Sequence, residues 1–298
     1  MGYGGKFMPK LTKVDLSNLK KISNYNKFTL KTLLEFYEEY ICSIYYWFKL
    51  KDGTEIILNF FKENFCHLAG THKVYPENLQ KRYQGKEGYK KILNNKMTFK
   101  TLKNYNSSKF NADVIQRVEY FPFMLQLLDK AELVKFNPYK VSGKCNIKAD
   151  IIFYSDMLGA RVHLGAVKEK ESKITYAPET FFPRELGKKS TNKYTINQDY
   201  KQIIDRKKFL KQRGRPLDYK FNNINWTSQN LKSKFKSIVE SHEGAFYRKC
   251  SKEGVAALLS DKIDVVKIEI NGTTYAIYKA KDDIKVDNKL CELKEKGA

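Results

Sequence analysis

The chain has 298 residues, of which 42% are hydrophobic and 14% aromatic, enough for the packed core of one large domain or two ordinary ones. This composition argues against a disordered polymer, and no apolar run is long enough to predict a membrane-spanning helix. Lysine and arginine outnumber aspartate and glutamate by 56 to 33. The net charge of +23 indicates an anionic partner, and the usual ones are nucleic acid and an anionic membrane surface.

Two details of the composition narrow this expectation. Most of the positive charge is lysine, which neutralises phosphate as a point charge, whereas arginine gives bidentate recognition. The charge therefore favours sequence-tolerant attraction to a nucleic-acid backbone.

The five cysteines are scattered without C-x-x-C or zinc-finger spacing, and no signal-peptide pattern opens the chain. We therefore expect a cytoplasmic protein without membrane partners.

The first half of the chain shows helical patterns around a hairpin. Residues 1–26 are basic and weakly periodic, and we interpret them as an arm. Residues 29–41 carry one apolar stripe and predict an amphipathic helix. Residues 43–50 and 55–61 are strand-like and flank an Asp52-Gly53 turn signal, which predicts a hairpin. Two further helices are predicted at residues 97–104 and 111–130, the second interrupted by Pro122.

From residue 147 the hydrophobic period changes to two. Residues 149–154, 161–167 and 174–182 are strand candidates separated by short turns, which is typical of an antiparallel meander. Helices followed by strands favour an α+β fold over a wound parallel sheet. The predicted class is therefore α+β, with helices followed by an antiparallel meander and a small C-terminal α+β appendage.

A basic segment follows the meander. Residues 198–212 predict a helix whose polar side would bind nucleic acid, or would simply be a solvated helix face. The substrate-binding candidates on this segment are Lys201, Arg206, Lys207, Lys208 and Lys211.

The last part of the chain has its own pattern. It predicts a helix around residues 231–239, a short helix at residues 254–259, and a hairpin in which residues 264–270 pair with residues 273–278 across Asn271-Gly272. We therefore divide the chain into the arm at residues 1–26, a domain at residues 27–215 and an appendage of unknown role at residues 216–298.

Residues 59–74 are the strongest candidate for a catalytic motif in the sequence. They hold His67 and His72, half of the four histidines in the chain, with Gly70 between them and Lys73 next to the second. Two imidazoles and a cation can supply a proton acceptor, a proton donor and a positive charge for chemistry at a phosphate. The plainer interpretation is a polar surface loop after a hairpin.

Three motifs in order along the chain resemble a known family. They are F-K-E-N-F-C-H-L-A-G-T-H-K at residues 61–73, P-E-T-F-F-P at residues 178–183, and Y-T-I-N-Q at residues 194–198, where a helix is predicted to begin. Together with the intervening pattern they resemble the phage-associated PBECR4 domain of the barnase, EndoU, colicin E5/D and RelE-like nuclease group. The resemblance covers roughly residues 30–212.

The resemblance implies a metal-independent endoribonuclease with an antiparallel sheet. The residues themselves agree in one respect, since they show no clustered Asp/Glu pattern of the kind that a two-metal nuclease needs. A metal-free route uses the 2′-hydroxyl of RNA as the nucleophile, with one group to remove its proton and another to protonate the departing oxygen. We accordingly predict no metal and no cofactor.

This scheme assigns roles to individual residues. His67 is the first candidate for acid or base, and its partner is either His72 or Glu179. Lys73 and Arg184 are candidate phosphate clamps. The hydrogen-bonding candidates that would complete the catalytic site are Thr180, Tyr194 and Gln198. His163 and His242 are interpreted as structural.

Several functional alternatives remain open. The first hypothesis is an RNA-cleaving toxin or a phage or defence factor, with RNA as substrate and an antitoxin as a conceivable partner. The second is a non-enzymatic nucleic-acid or ribonucleoprotein binder that stacks and neutralises single strands. The third is an inhibitor whose basic face binds an acidic partner protein.

Overall fold

The structure, a computed structural model, describes residues 10–170, 172–188 and 191–211, and farther on residues 215–216, 229, 232–233, 245–249, 265–270 and 273–279. The chain divides into two compact units. The first comprises Met1–Glu169 with Thr175–Lys207, and the second comprises Lys170–Ile174 with Lys208–Ala298.

An eight-stranded, mostly antiparallel sheet forms the centre of the first unit. Its strands are β1 Ile44–Leu50, β2 Glu55–Asn59, β3 Glu132–Lys135, β4 Ile151–Met157, β5 Ala160–Lys168, β6 Thr175–Glu185, β7 Asp199–Lys201 and β8 Ile203–Leu210. Their order across the sheet is β7-β3-β4-β5-β6-β2-β1-β8. The predicted meander is β4-β5-β6, and the predicted α+β class is confirmed.

The helices are short and lie mostly between β2 and β3. The α-helices are α1 Lys13–Ser17, α2 Leu30–Phe36, α3 Phe65–Leu68, α4 Glu77–Gln80, α5 Gly85–Leu93, α6 Phe99–Tyr105, α7 Ser107–Lys109, α8 Gln116–Tyr120 and α9 Met124–Lys130. Tighter 3-10 turns occur at Tyr25–Lys27, Lys62–Asn64, Thr71–Val74, Lys81–Tyr83, Phe121–Phe123 and Pro138–Lys140, and wider π-turns at Tyr37–Cys42 and Phe110–Ile115. In the described part of the chain, no helix is both long and apolar enough to cross a bilayer.

Local chemistry explains where several of these elements begin and end. Thr29 caps α2 by accepting a hydrogen bond from the backbone N–H of Thr32, so the first predicted helix begins where expected. The predicted hairpin is β1-β2, whose turn has Gly53 at φ +84° and Asp52 accepting from the N–H of Thr54 at 2.9 Å. Pro122 lies in the 3-10 turn that separates α8 from α9, as its missing N–H predicts.

The basic segment after the meander is not a helix. Residues 199–201 pair with β3 at one edge of the sheet, and β8 begins two residues later beside β1 at the other edge. Between them, the Gln202 carbonyl accepts from the Lys51 N–H at 2.9 Å, so this one segment links both edges and nearly closes the sheet into a barrel. The helix predicted at residues 198–212 is therefore wrong, because edge pairing outweighed the weak helical pattern.

Side-chain burial agrees with this correction. Tyr200 and Ile204, two apolar residues that would form the inner face of such a helix, are both 54% exposed. β3 was also missing from the sequence-based expectation, since it is only four residues long and directly follows a helix.

The second unit contains a four-stranded sheet. Its strands are β9 Arg215–Pro216, β10 Ala245–Lys249, β11 Val265–Ile270 and β12 Thr273–Lys279, in the order β11-β12-β10-β9. Ile270 pairs with Thr273, so the hairpin predicted around Asn271-Gly272 is confirmed. The short helix predicted at residues 254–259 lies outside the described residues, as do His242 and most of the helix predicted at residues 231–239.

Candidate active site

A chain of aromatic rings holds the first histidine motif against the sheet. Phe65 on α3 packs edge-to-face on Phe121 with ring centres 5.3 Å apart, and Phe121 packs on Phe181 of β6 at 5.6 Å. All three side chains are fully buried. Because β6 also carries Glu179, this aromatic packing fixes the position of α3, and therefore of His67, relative to Glu179.

A left-handed turn then reverses the backbone between the two histidines. Gly70 has φ +73°, and its N–H donates to the carbonyl of His67 at 3.2 Å. A Cβ at this position would lie 2.7 Å from Arg117 Cδ and from the carbonyl oxygen of Asp113, so both the conformation and the close approach require glycine. The turn stacks the rings of His67 and His72 with centres 4.6 Å apart and planes 12° apart.

Glu179 lies at an irregularity of the sheet. Thr180 pairs with Gly165 and Pro178 with Ala166, so Glu179 is the extra residue of a bulge in β6. Its carboxylate Oε1 is 3.4 Å from Nε2 of His67. Burial raises the pKa of Glu179, an effect that Lys148 opposes. Bulges commonly redirect a side chain next to an active site, and this one accompanies the contact with His67.

His67 is neutral at neutral pH. Burial, with further contributions from Lys73 and Arg117, lowers its pKa to about 4, while a hydrogen bond with the Gln84 side chain opposes this shift. The side chain is still 35% exposed, so a substrate can reach it. A neutral, accessible imidazole beside a carboxylate can accept a proton, and the carboxylate stabilises the imidazolium that results.

His72 is more enclosed than His67. It is 3% exposed, and its Nδ1 lies 3.2 Å from the carbonyl of Cys66, which also accepts from Thr71 Oγ1 at 3.3 Å. Burial and the neighbouring His67 lower the pKa of His72 to about 3. With one nitrogen bound to the backbone and one face covered by His67, His72 is suited to holding the first ring in place.

Three cations, Lys73, Arg117 and Arg184, form a charged cluster with His67 and His72. Burial and the charge of Arg117 lower the pKa of Lys73 to about 8, and Arg184 adds to the same repulsion. Burial likewise lowers the pKa of Arg117 to about 10, with Asp113 opposing the shift. Since Asp113 is the carboxylate that acts on both groups, the cluster carries excess positive charge, which an anion such as phosphate would neutralise.

Arg117 and Arg184 approach β6 in different ways. Arg117 donates from Nη1 to the carbonyl of Phe181, two residues from Glu179. The Arg184 guanidinium lies 5.7 Å from the ring centre of Phe182 and 6.0 Å from that of Tyr194. Arg184 Nε is buried and, within the described chain, lacks a hydrogen-bond partner. Arg117 is thus a positive charge held in place by the backbone of β6. Arg184 has an Nε–H donor that a ligand could use.

The structure brings only some of the predicted site residues together. His67, His72, Lys73 and Arg184 form one electrostatic cluster with Glu179. The three other catalytic candidates have different surroundings. Thr180 presents its methyl group to Gly165, the ring of Tyr194 packs on His163 and Phe182, and the amide of Gln198 binds the backbone of Asn137 at 2.7 and 3.2 Å.

The predicted basic footprint is spread over strands and largely paired. Lys201 contacts Asp199 at 3.1 Å and Asp52 at 3.8 Å, and Arg206 donates to the carbonyl of Ala131 at 2.6 Å. Lys207 lies 3.8 Å from Asp205 and 5.3 Å from the ring of Trp47. Lys208 is exposed on β8, and Lys211 is half-buried just beyond it. These residues are not one face of a helix.

Sequence reasoning missed Arg117 and Gln84. Arg117 is separated by more than 40 residues from Lys73 and by more than 60 from Glu179, so no local motif connects it to them. A signal was nevertheless present, because Arg117 falls three residues after Val114 and four before Phe121, on the apolar side of its helix. A charged residue in that position calls for a buried partner, and the partners are the Phe181 carbonyl and Asp113.

The described residues contain no group of three or more His, Cys, Asp or Glu side chains that would hold a metal ion.

Gly70→Ala should destabilise the protein and disturb the site. The left-handed backbone alone costs about 1–3 kcal/mol for a residue with a Cβ, and the clash with Arg117 adds to it. Chemical denaturation measures the free energy of unfolding. Gly53→Ala is the matched control, because Gly53 has φ +84° with open space around its would-be Cβ. Equal losses for the two variants would contradict the proposed packing requirement.

His163 should make the fold sensitive to acid. It is fully buried on β5, stacks on Phe182 at 4.6 Å, and contacts the Phe182 carbonyl through Nδ1 at 3.2 Å. Burial lowers its pKa to about 3. The unfolded chain therefore binds a proton near pH 6.5 that the folded chain does not, so stability is present above about pH 6.5 and is lost as the pH falls toward the folded pKa.

At pH 5 this linkage amounts to about 2 kcal/mol relative to pH 8. Denaturation curves at the two pH values measure it. The difference between them should shrink in His163→Phe, whatever the absolute stability of that variant. His67 and His72, whose pKa values are also lowered, should retain the remaining sensitivity. An unchanged pH difference in His163→Phe would refute the assignment.

The fold and the site together define a class of protein. The chain is an α+β protein in which a carboxylate on a mostly antiparallel sheet faces an imidazole on a helix, beside clustered cations. The family that matches residues 29–223 is PBECR4, described as phage-Barnase-EndoU-ColicinE5/D-RelE like nuclease4, and the chain belongs to it. The resemblance drawn from the motifs is thereby confirmed. No curated protein and no solved structure matches the chain.

Proposed function

We propose that this member of a nuclease family is an endoribonuclease that acts without a metal ion. The 2′-hydroxyl of the RNA attacks the adjacent phosphate and thereby cleaves the chain. The observation that carries the proposal is the 3.4 Å approach of His67 Nε2 to Glu179 Oε1 beside Lys73, Arg117 and Arg184. This combination offers a proton acceptor and positive charge at one place. Active-site hydrogen bonds are often this long before substrate binds.

In the proposed reaction, His67 removes the proton of the 2′-hydroxyl. Nε2 of His67 faces Glu179, and the Glu179 carboxylate stabilises the imidazolium that forms. His72, stacked on the ring of His67, fixes the orientation of that ring. The 2′-oxygen then attacks the adjacent phosphorus to form the cyclic phosphate.

The cations act on the phosphate and the leaving group. Arg117 and Arg184 offset the charge that develops on the phosphorane oxygens. Lys73, with its pKa lowered to about 8, is protonated at neutral pH and close to the point of releasing its proton. As the bond between phosphorus and the 5′-oxygen breaks, Lys73 donates that proton to the 5′-oxygen. The products are a 2′,3′-cyclic phosphate end and a 5′-hydroxyl end.

The decisive experiment compares RNA with DNA of the same sequence in the presence of a chelator. Wild-type protein should cleave RNA to 2′,3′-cyclic phosphate ends and leave DNA intact, because DNA lacks the nucleophile. Tyr139→Ala, which changes a 95% exposed side chain, is the control for substitution as such. Tight binding of RNA without cleavage would refute the enzyme and favour the non-enzymatic binder.

The pH dependence of kcat/KM should follow the two proton-transfer groups. Activity should rise with pH as His67 loses its proton, through about pH 4, and fall as Lys73 loses its own, through about pH 8. Initial rates of RNA cleavage across this range test the prediction. The residual activity of Lys73→Arg should show no fall near pH 8, since arginine stays protonated there. An alkaline limb that persists in Lys73→Arg would contradict the role of Lys73.

The wider biological role is part of the same proposal. An RNA-cleaving protein of this charge would act as a toxin or as a phage or defence factor in the cytoplasm, with an acidic antitoxin as the natural partner. Co-expression of an acidic partner protein with the wild type should relieve growth inhibition and should be unnecessary for a cleavage-defective variant. Equal growth of cells producing wild type and His67→Ala alone would refute the toxin role.

A further inference from the structure

Three tyrosines form a stack next to the candidate active site. The rings of Tyr75 and Tyr83 are 3.5 Å apart at 9°, and the ring of Tyr105 meets Tyr75 at 4.5 Å and 51°. Tyr75 is therefore the central ring, in contact with both of the others. Tyr75 is 4% exposed, Tyr83 is half-buried, and Tyr105 at the end of α6 is 49% exposed. The tyrosine stack therefore has a buried central ring and, at one end, the exposed ring of Tyr105.

The tyrosine stack is connected to the site through two short stretches of chain. Tyr75 directly follows the turn Thr71–Val74, which carries His72 and Lys73. Tyr83 directly precedes Gln84, whose side chain hydrogen-bonds His67. Tyr75 and Tyr83 are thus linked through neighbouring residues to both the proposed proton donor and the proposed proton acceptor.

The surroundings of the tyrosine stack are basic. Residues 77–105 contain eight lysine and arginine residues and two glutamates. The Lys91 ammonium lies 5.1 Å from the ring centre of Tyr83, and one of the glutamates, Glu87, is 3.6 Å from Lys90. Exposed aromatic rings among cations bind single-stranded nucleic acid by stacking on bases while the charges follow the backbone.

We propose that the tyrosine stack is a nucleobase subsite and that the substrate is single-stranded RNA, with an unpaired base next to the scissile phosphate stacking on Tyr105. This inference rests on the proposed endoribonuclease function and adds the form of its substrate. Stacking requires an unpaired base and accepts every base, because each has a π-face. It therefore agrees with a sequence-tolerant enzyme. If the rings were ordinary core packing, Tyr105 would be dispensable for binding.

Binding is measured separately from cleavage with a single-stranded DNA oligonucleotide that contains 2-aminopurine, whose fluorescence is quenched on stacking. Wild type, Tyr105→Ala and Tyr105→Phe are titrated, with Tyr139→Ala as the matched exposed-tyrosine control. Tyr105→Ala should weaken binding about tenfold and reduce the quenching. Tyr105→Phe, which keeps the ring, and Tyr139→Ala should bind as wild type does. The corresponding duplex should bind wild type and Tyr105→Ala equally.

Two results would overturn the subsite. One is equal binding of the single strand by wild type and Tyr105→Ala, and the other is equal weakening in Tyr105→Ala and Tyr139→Ala. Melting temperatures of the variants show whether a loss of binding reflects unfolding. Failure of the wild type to cleave RNA would refute the proposed reaction instead, and the DNA titration would still report whether bases stack on Tyr105.

Discussion

His67→Ala should lower the rate of RNA cleavage by about 10²–10⁴-fold, the usual contribution of a positioned acid or base. The loss should appear in kcat, because the proton is transferred only as the phosphate reacts. Binding of the 2-aminopurine DNA should be nearly unchanged, since the phosphate contacts come from the cations. Quantifying 2′,3′-cyclic phosphate ends under single-turnover conditions measures the effect.

Glu179→Gln is the companion substitution. It keeps the size of the side chain and removes the charge that stabilises the imidazolium, so we expect a loss of about 10²-fold or more. Because the pair acts as a unit, the double variant should be little worse than His67→Ala alone. Tyr139→Ala is the control, since its side chain is 95% exposed and takes no part in the proposed site. Full activity in both His67→Ala and Glu179→Gln would refute the assignment of the site.

Lys73→Met should lower kcat by about 10²–10³-fold, as the removal of one group that stabilises transition-state charge does in other enzymes. Methionine keeps most of the length of the side chain but neither its charge nor its proton. Lys49→Met, on an exposed position of β1, removes the same charge away from the site and should be nearly neutral. Cleavage rates at saturating RNA distinguish the two variants.

The two kinetic constants separate catalysis from simple attraction. If Lys73 only attracts RNA, its loss raises KM and leaves kcat unchanged, as uniform binding predicts. If it donates the proton to the 5′-oxygen, kcat falls. Equal effects of Lys73→Met and Lys49→Met on either constant would show that Lys73 contributes only to the net charge.

The local rules of the sequence predicted much of this fold. Asp52-Gly53 indicated the β1-β2 hairpin, and Thr29 with its apolar stripe indicated the first helix, because turn chemistry and capping depend on neighbouring residues. The switch to a period of two indicated β4, β5 and β6. The helix predicted at residues 198–212 is wrong because this segment depends on partners far away in the sequence. Its strand pairing is with β3 at one edge of the sheet and with β1 at the other, and such distant partners leave no local signal.

The candidate site likewise has features that follow from the sequence and features that depend on the tertiary structure. The sequence by itself determined that the chain is basic, that it is α+β, and that His67, Gly70, His72 and Lys73 belong to one motif of a nuclease family. Only the tertiary structure decided that Glu179 approaches His67, that Arg117 joins the cations, and that Gln198 binds Asn137 instead. The reason is physical. The first group depends on composition and on neighbours along the chain, whereas the second depends on a bulge in β6 and on aromatic packing between residues more than 50 positions apart.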